Sequence, residues 1–232
     1  MRGSHTLFIG LILGKAEVTG PIPVISSIFF ILNKGEMVME SKVYYHVSNV
    51  PNLKVLEPRI STHGKKWVYA TPYPHLALLF GSTKSMGDFD GIYGMTSEGE
   101  KMIPFFFEAY EGALKRTFQG ESCSIYEVDK KDFVDGKTSF SAEVVSEKPV
   151  KILKETRIDD LYECLLDLIE KKEIVFQPYS DKSSAKIYNH IKLRIEMFKT
   201  YKDKNSAPYK FCMEKFPEIL KEVERNNEKD RQ

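Results

Sequence analysis

Residues 43–81, VYYHVSNVPNLKVLEPRISTHGKKWVYATPYPHLALLFG, hold two short runs whose reading decides the fold. Val43 to His46 and Trp67 to Thr71 are β-branched and aromatic, a composition that suits a pleated, half-buried strand. Ser48-Asn49-Val50-Pro51 follows the first run with turn chemistry and leads into a short helix or loop through Leu53 and Leu56. Pro72 and Pro74 follow the second and open a helix carrying Leu76, Ala77, Leu79 and Phe80, since a first helical turn does not need the amide hydrogen that proline lacks. Each strand carries a residue able to touch a ligand, His46 in one and Tyr69 in the other.

Toward the C-terminus, the five glycines between Gly81 and Lys101 and the weak periodicity there predict a mobile loop over one face. Ile103 to Tyr110 and Cys123 to Val128 are the next strands, the second passing at Asp129 into a short helical turn up to Phe133. Phe140 to Val145 and Val150 to Leu153 form a last pair, joined by Ser146-Glu147-Lys148-Pro149, and Glu143 stands in the first of them. Beyond Lys154 the period changes. Ile158, Leu161, Leu165, Leu168 and Ile169 recur at helical spacing, with Asp159 and Asp160 near the start, where acidic groups favour the helix dipole. Ile187, Ile191, Ile195 and Phe198 mark a second helix, and Ile219, Leu220 and Val223 a last one that runs into a charged, frayed tail from Glu222 to Gln232. The class is α+β, with a mixed or antiparallel sheet from Val43 to Leu153 and helices packed on it.

Toward the N-terminus the composition changes. Leu7 to Leu13 and Ile22 to Leu32 are apolar, but Lys15, Glu17, Gly20, Pro21 and Pro23 interrupt them, so no span reaches the ~20 residues of a membrane helix. Arg2 ahead of an apolar run suggests a signal peptide, yet no clean small-residue cleavage site follows. Lys34-Gly35-Glu36 is compatible with a purine-rich coding run that contains a bacterial ribosome-binding sequence, with Met37 and Met39 close behind, and the opening Met-Arg-Gly-Ser-His resembles an expression tag. Residues 1–38 are therefore read as a leader, either foreign to the fold or an apolar arm packed on it. Residues 39–157 form the α+β domain and 158–232 a helical extension.

Bulk properties bound the partners. A chain of 232 residues with 42% hydrophobic and 29% charged residues can bury one substantial core and is too apolar for a disordered chain. A net charge of +1 makes no global case for nucleic acid or anionic membrane, although a local basic patch is compatible with it. Cys123, Cys164 and Cys212 are odd in number and far apart, which suggests neither a disulfide framework nor a zinc site and fits a cytoplasmic setting.

A histidine, a tyrosine and a glutamate on three separate strands, in that order, resemble the signature of the ADP-ribosyltransferase superfamily in its diphtheria-toxin-like and poly-ADP-ribose-polymerase-like branch. The resemblance covers roughly Val43 to Leu153 and implies a split, mixed β-sheet with flanking helices. It implies NAD as substrate and an acceptor that is a protein, a nucleic acid or a small molecule, with no role for membrane or metal. Residue by residue it implies His46 as donor to the adenosine ribose and a backbone clamp on the nicotinamide amide from Val47, where the family usually has glycine. Ser48 is similar to the family's small hydroxyl residue beside the carboxamide. Tyr69 looks like the strand tyrosine that packs on nicotinamide, with Phe80 or Tyr73 as the second wall. Glu143 is similar to the catalytic glutamate, and Glu147 competes for that role from the following turn. Arg59, with His63 nearby in the chain, suits a pyrophosphate, because a guanidinium forms paired bonds to phosphate oxygens.

Each of these residues also has a purely structural reading: His46 as a satisfied core histidine, Tyr69 as a core aromatic, Glu143 as a surface acid on an edge strand. A related enzymatic reading is an RNA 2′-phosphotransferase-like enzyme, which would hold its phosphorylated end with Arg59 and Arg116. A non-catalytic binding protein of the same fold is the third.

Overall fold

In the computed structural model the described residues are 22–24, 42–60, 64–138, 140–180 and 184–229. His63, the final three residues and all of the leader apart from Ile22–Val24 lie outside them. The chain runs β1 (Ile22–Val24), β2 (Val43–Ser48), β3 (Val55–Leu56), β4 (Arg59–Ile60), β5 (Lys66–Ala70) and the short helix α1 (Pro74–Leu78). Next come β6 (Gly91–Glu98), β7 (Lys101–Glu108), α2 (Ala113–Phe118), β8 (Cys123–Asp129), β9 (Val144–Ser146) and β10 (Val150–Ile158). It ends with α3 (Leu161–Glu170), β11 (Val175–Gln177), α4 (Ser184–Met197), α5 (Ala207–Lys215) and α6 (Pro217–Lys229). The protein is α+β, and no helix among the described residues is long and apolar enough to cross a membrane.

The strands form three sheets among the described residues: β1-β2-β8-β10-β3, β4-β5-β9 and β11-β7-β6. The first two are joined where Tyr45 and Thr71 exchange backbone hydrogen bonds, each 3.2 Å. Val68, Ala70 and Val144 of the second sheet pack against Tyr126, Val128 and Val150 of the first, giving a small sandwich. The main core lies on the other side of β2, where Tyr45, Val47 and Ile125 meet Leu76 to Phe80, Phe118, Phe106 and the buried stripe Leu161, Leu165 and Leu168 of α3. A further cluster joins Phe89, Ile92 and Phe105 to Ile187, Ile191 and Ile195 of α4 and to Phe211, Leu220 and Val223 beyond it.

Several expectations need correction. The stretch from Gly81 to Lys101 is not a loop throughout, because β6 pairs along its full length with β7 and turns at Gly99, whose φ is +63°. Its glycines mark close approach. A Cβ on Gly91 would strike the Phe106 ring and one on Gly94 the Phe105 ring, so these positions are small because aromatics fold over them. Ile158 ends β10 and does not open a helix; α3 begins after Asp160, whose carboxylate accepts the Glu163 N–H at 3.0 Å. The late strand begins at Val144 and not at Phe140, which leaves Glu143 in the turn just before it. The expected tail is helical to Lys229 and tied to α4, Lys192 pairing with Glu222 at 2.5 Å, and α5 was not anticipated.

The helical extension packs on the strands. α3 shares the main core with β2, β11 pairs in parallel with β7, and a buried ion pair holds α4. Arg194 Nε lies 3.0 Å from Asp88 Oδ2 in the turn at Gly87–Phe89, and the two side chains are 5% and 2% exposed. His190 Nε2 donates to the Asp88 carbonyl at 2.9 Å.

Candidate active site

β2, β5 and β9 are lateral neighbours. β5 pairs with β9 as Val68↔Ser146, Tyr69↔Val145 and Ala70↔Val144, so one further step brings Glu143 abreast of Thr71, which is itself opposite Tyr45. The three strands implicated by the sequence therefore present His46, Tyr69 and Glu143 within about two residues of the same level. His46 makes contact directly, its Nδ1 lying 2.9 Å from the Tyr69 carbonyl oxygen.

That contact decides the chemistry of the ring. A carbonyl only accepts, so Nδ1 carries the proton. His46 is 1% exposed, and burial, reinforced less strongly by the nearby Arg59 cation, lowers its pKa to about 4 against the opposing pull of the Tyr69 carbonyl. At neutral pH the imidazole is uncharged and Nε2 holds only a lone pair. That nitrogen is buried and meets no hydrogen-bond partner among the described residues. His46 is thus an acceptor toward any ligand hydroxyl, which corrects its expected role as donor.

Glu143 is 5% exposed, and burial raises its pKa to about 7; the Thr138 hydroxyl beside it works weakly in the opposite direction. A buried carboxyl that titrates near neutrality is the kind of group an enzyme uses to hold or pass a proton. No protein-family model matches the chain, and no curated protein or solved structure does either.

Not all expected residues converge. The Tyr69 ring packs edge-on against Trp67 at 5.9 Å in a small cluster with Val145, whereas Phe80 packs on Tyr93 at 5.6 Å in the main core. The two walls expected to face each other thus belong to separate clusters, because Phe80, two residues past α1, packs into the core while Tyr69 shares a strand face with Trp67, two residues away. Tyr73 is only partly buried and also packs on the main core. Val47 is fully buried and flanked by Ile22 of β1 and Ile125 of β8. The Ser48 hydroxyl accepts the Val50 N–H at 3.1 Å, and its own proton can be donated elsewhere.

Arg59 is exposed on β4 opposite Trp67, and Glu147 accepts from Trp67 Nε1 at 3.4 Å. Arg116 is engaged elsewhere, 3.0 Å from Asp90 and stacked on the Phe211 ring. Thr71 and Trp67 were missed as members of the site. Strand alternation from Tyr69 marks both positions as facing the same way, so the signal was present for Trp67 and Thr71 alike.

Proposed function

We propose that this chain is an NAD-using ADP-ribosyltransferase-like enzyme, with the split-sheet fold that such activity implies. One observation carries the reading: His46 and Tyr69 stand on adjacent strands and touch through the Tyr69 carbonyl, with a bare acceptor nitrogen on the histidine, and Glu143 supplies a buried carboxyl in the turn that opens the third strand. These groups suit the parts of NAD. His46 Nε2 accepts from a ribose hydroxyl, Arg59 meets the pyrophosphate, Ser48 donates to the carboxamide and Tyr69 lies on nicotinamide. Glu143 acts on the reacting ribose. As the ribose–nicotinamide bond breaks, nicotinamide leaves with the bonding electrons, and the Glu143 carboxylate stabilises the positive charge left on the sugar. It then accepts the proton of the attacking acceptor.

The test is nicotinamide release from NAD by the purified chain. Tyr69→Ala should weaken NAD binding roughly 2- to 30-fold, the range for about 0.5–2 kcal/mol of ring stacking on a cationic pyridinium. Unchanged affinity in a variant whose circular dichroism matches the parent would remove Tyr69 from the pocket. Because Ile22 pairs with Val47, the backbone assigned to the carboxamide is occupied by β1. A chain begun at Met39 should accordingly bind NAD at least as tightly as the full chain, and weaker binding by calorimetry would show β1 to be part of the site. The RNA 2′-phosphotransferase-like reading retains Arg59 alone, since Arg116 is committed to Asp90. Binding of NAD without turnover would leave the non-catalytic reading in its place.

A further inference from the structure

Two links run side by side from the first sheet to the second, and they gather a charge excess that the whole-chain balance conceals. Glu57-Pro58 joins β3 to β4, and Glu147-Lys148-Pro149 joins β9 to β10. They are held together at one end by the Leu56↔Val150 pair and at the other by Trp67, which lies opposite Arg59 and donates to Glu147. Around them stand Lys54, Arg59, Lys65, Lys66, Lys148 and Lys151, all exposed, against Glu57 and Glu147 on the links themselves and Glu155 beside Lys54. The whole chain is +1, so the rest of the molecule is net acidic and the asymmetry is local.

The cations are placed for an extended anion. Lys151 sits opposite Val55, Lys66 sits opposite Ile60, and Lys148 stands in the turn two residues past the end of β9, whose Ser146 pairs with Val68 of β5. Lys66, Lys148 and Lys151 make no ion pair among the described residues. Exposed apolar side chains alternate with them: Ile60 is 64% exposed, Leu153 54% and Val55 41%. An acidic peptide would satisfy the lysines but leave these apolar groups in water. A single nucleic-acid strand offers both phosphates and unstacked base faces, and a surface of strands and turns a few residues wide suits one backbone better than a duplex groove. The rim is continuous with the candidate site, for Lys65 Nζ lies 5.6 Å from the Trp67 ring centroid, and that ring abuts Tyr69.

On the transferase reading, we infer that the acceptor is single-stranded nucleic acid, docked on this basic rim. The reacting ribose carbon exchanges its bond to the nicotinamide nitrogen for one to an amine or hydroxyl of the strand. The strand's proton passes to Glu143, and nicotinamide departs neutral.

The experiment follows a fluorescently labelled 20-nucleotide oligo-dT by anisotropy with the full chain, alongside nicotinamide release and transfer of labelled ADP-ribose to a mixed-sequence single strand. With about four phosphates neutralised, affinity should fall roughly 50-fold between 50 and 200 mM salt. The combined change Lys65→Glu, Lys66→Glu, Lys148→Glu should abolish oligonucleotide binding and leave NAD cleavage in place. No binding at 50 mM salt, equal binding by the charge-reversed chain, or equal competition by polyglutamate would overturn the inference. Nicotinamide release without oligonucleotide binding removes this surface alone, whereas salt-dependent binding without nicotinamide release removes the transferase reading and with it the acceptor role.

Discussion

Glu143→Gln should slow nicotinamide release by about 10²–10³, the usual loss when one preorganised electrostatic group is removed from a reacting centre, and should at the same time stabilise the fold at alkaline pH. The two effects share one cause. Burial raises the Glu143 pKa from 4.5 to about 7. Below pH 4.5 the carboxyl is protonated whether the chain is folded or not, and it carries no penalty. From there upward the unfolded chain releases the proton while the folded one retains it, so stability falls as pH rises and the loss is complete above about pH 7. The difference of about 2.5 pKa units corresponds to on the order of 3 kcal/mol.

Glutamine does not titrate, so urea denaturation should show the variant's advantage growing between pH 4.5 and 8. The ionised form stabilises the sugar cation, so the parent's rate should rise with pH through about 7. His46→Ala should differ by weakening NAD binding as well as rate, because its partner is present before the reaction begins. Glu147→Gln should change little, since that side chain is exposed on the link and held by Trp67. An unaltered rate in Glu143→Gln would end its catalytic role, and a pH-independent stability difference would show that its carboxyl is solvated.

Arg194→Met should destabilise the protein by about 3–5 kcal/mol at pH 8, the range for removing one partner of a buried ion pair. In a chain of this size that is a fall in Tm of roughly 6–20 °C. Burial alone pushes the Asp88 carboxyl up to about 7 even with Arg194 pulling it down, and without the guanidinium it would rise further. The cost is therefore greatest where Asp88 must remain charged. At pH 5 it can take up a proton, and the loss should shrink. Asp88→Asn added to Arg194→Met should restore much of the stability at pH 8, since no lone buried charge remains. A loss below about 1 kcal/mol at pH 8, measured by thermal denaturation, would show that the pair is hydrated.

The first strands and the helix at Leu161 were legible because local composition and period coincide with their burial: Val43 to His46, Trp67 to Ala70 and Cys123 to Val128 lie in strands, Thr71 follows as an isolated bridge to Tyr45, and the leucine stripe faces the core. The hairpin at Gly91 was hidden. Glycine carries two opposite meanings, freedom of the backbone and room for a neighbour, and only the position of Phe105 and Phe106 distinguishes them. The two-residue strands β3 and β4 leave no period to detect, and α5 buries Tyr209, Phe211 and Cys212 without a regular stripe. For the candidate site, the residue types were legible, but their relations depend on the long-range Tyr45–Thr71 exchange. The direction of the His46 hydrogen bond was invisible for the same reason, since it is set by a carbonyl 23 residues away.

The parallel pairing of β11 with β7 also orders events during synthesis. Phe105 to Phe107 must wait for Val175 to Gln177, about 70 residues later in the chain. At ribosomal rates that is roughly 4–14 s. Throughout that interval the nascent chain presents a phenylalanine-rich strand with one edge open, the kind of surface on which chains pair with one another. A message interrupted after residue 157 would release a polypeptide in which that edge is never closed, and such a product is expected in inclusion bodies when the intact chain is found in the supernatant.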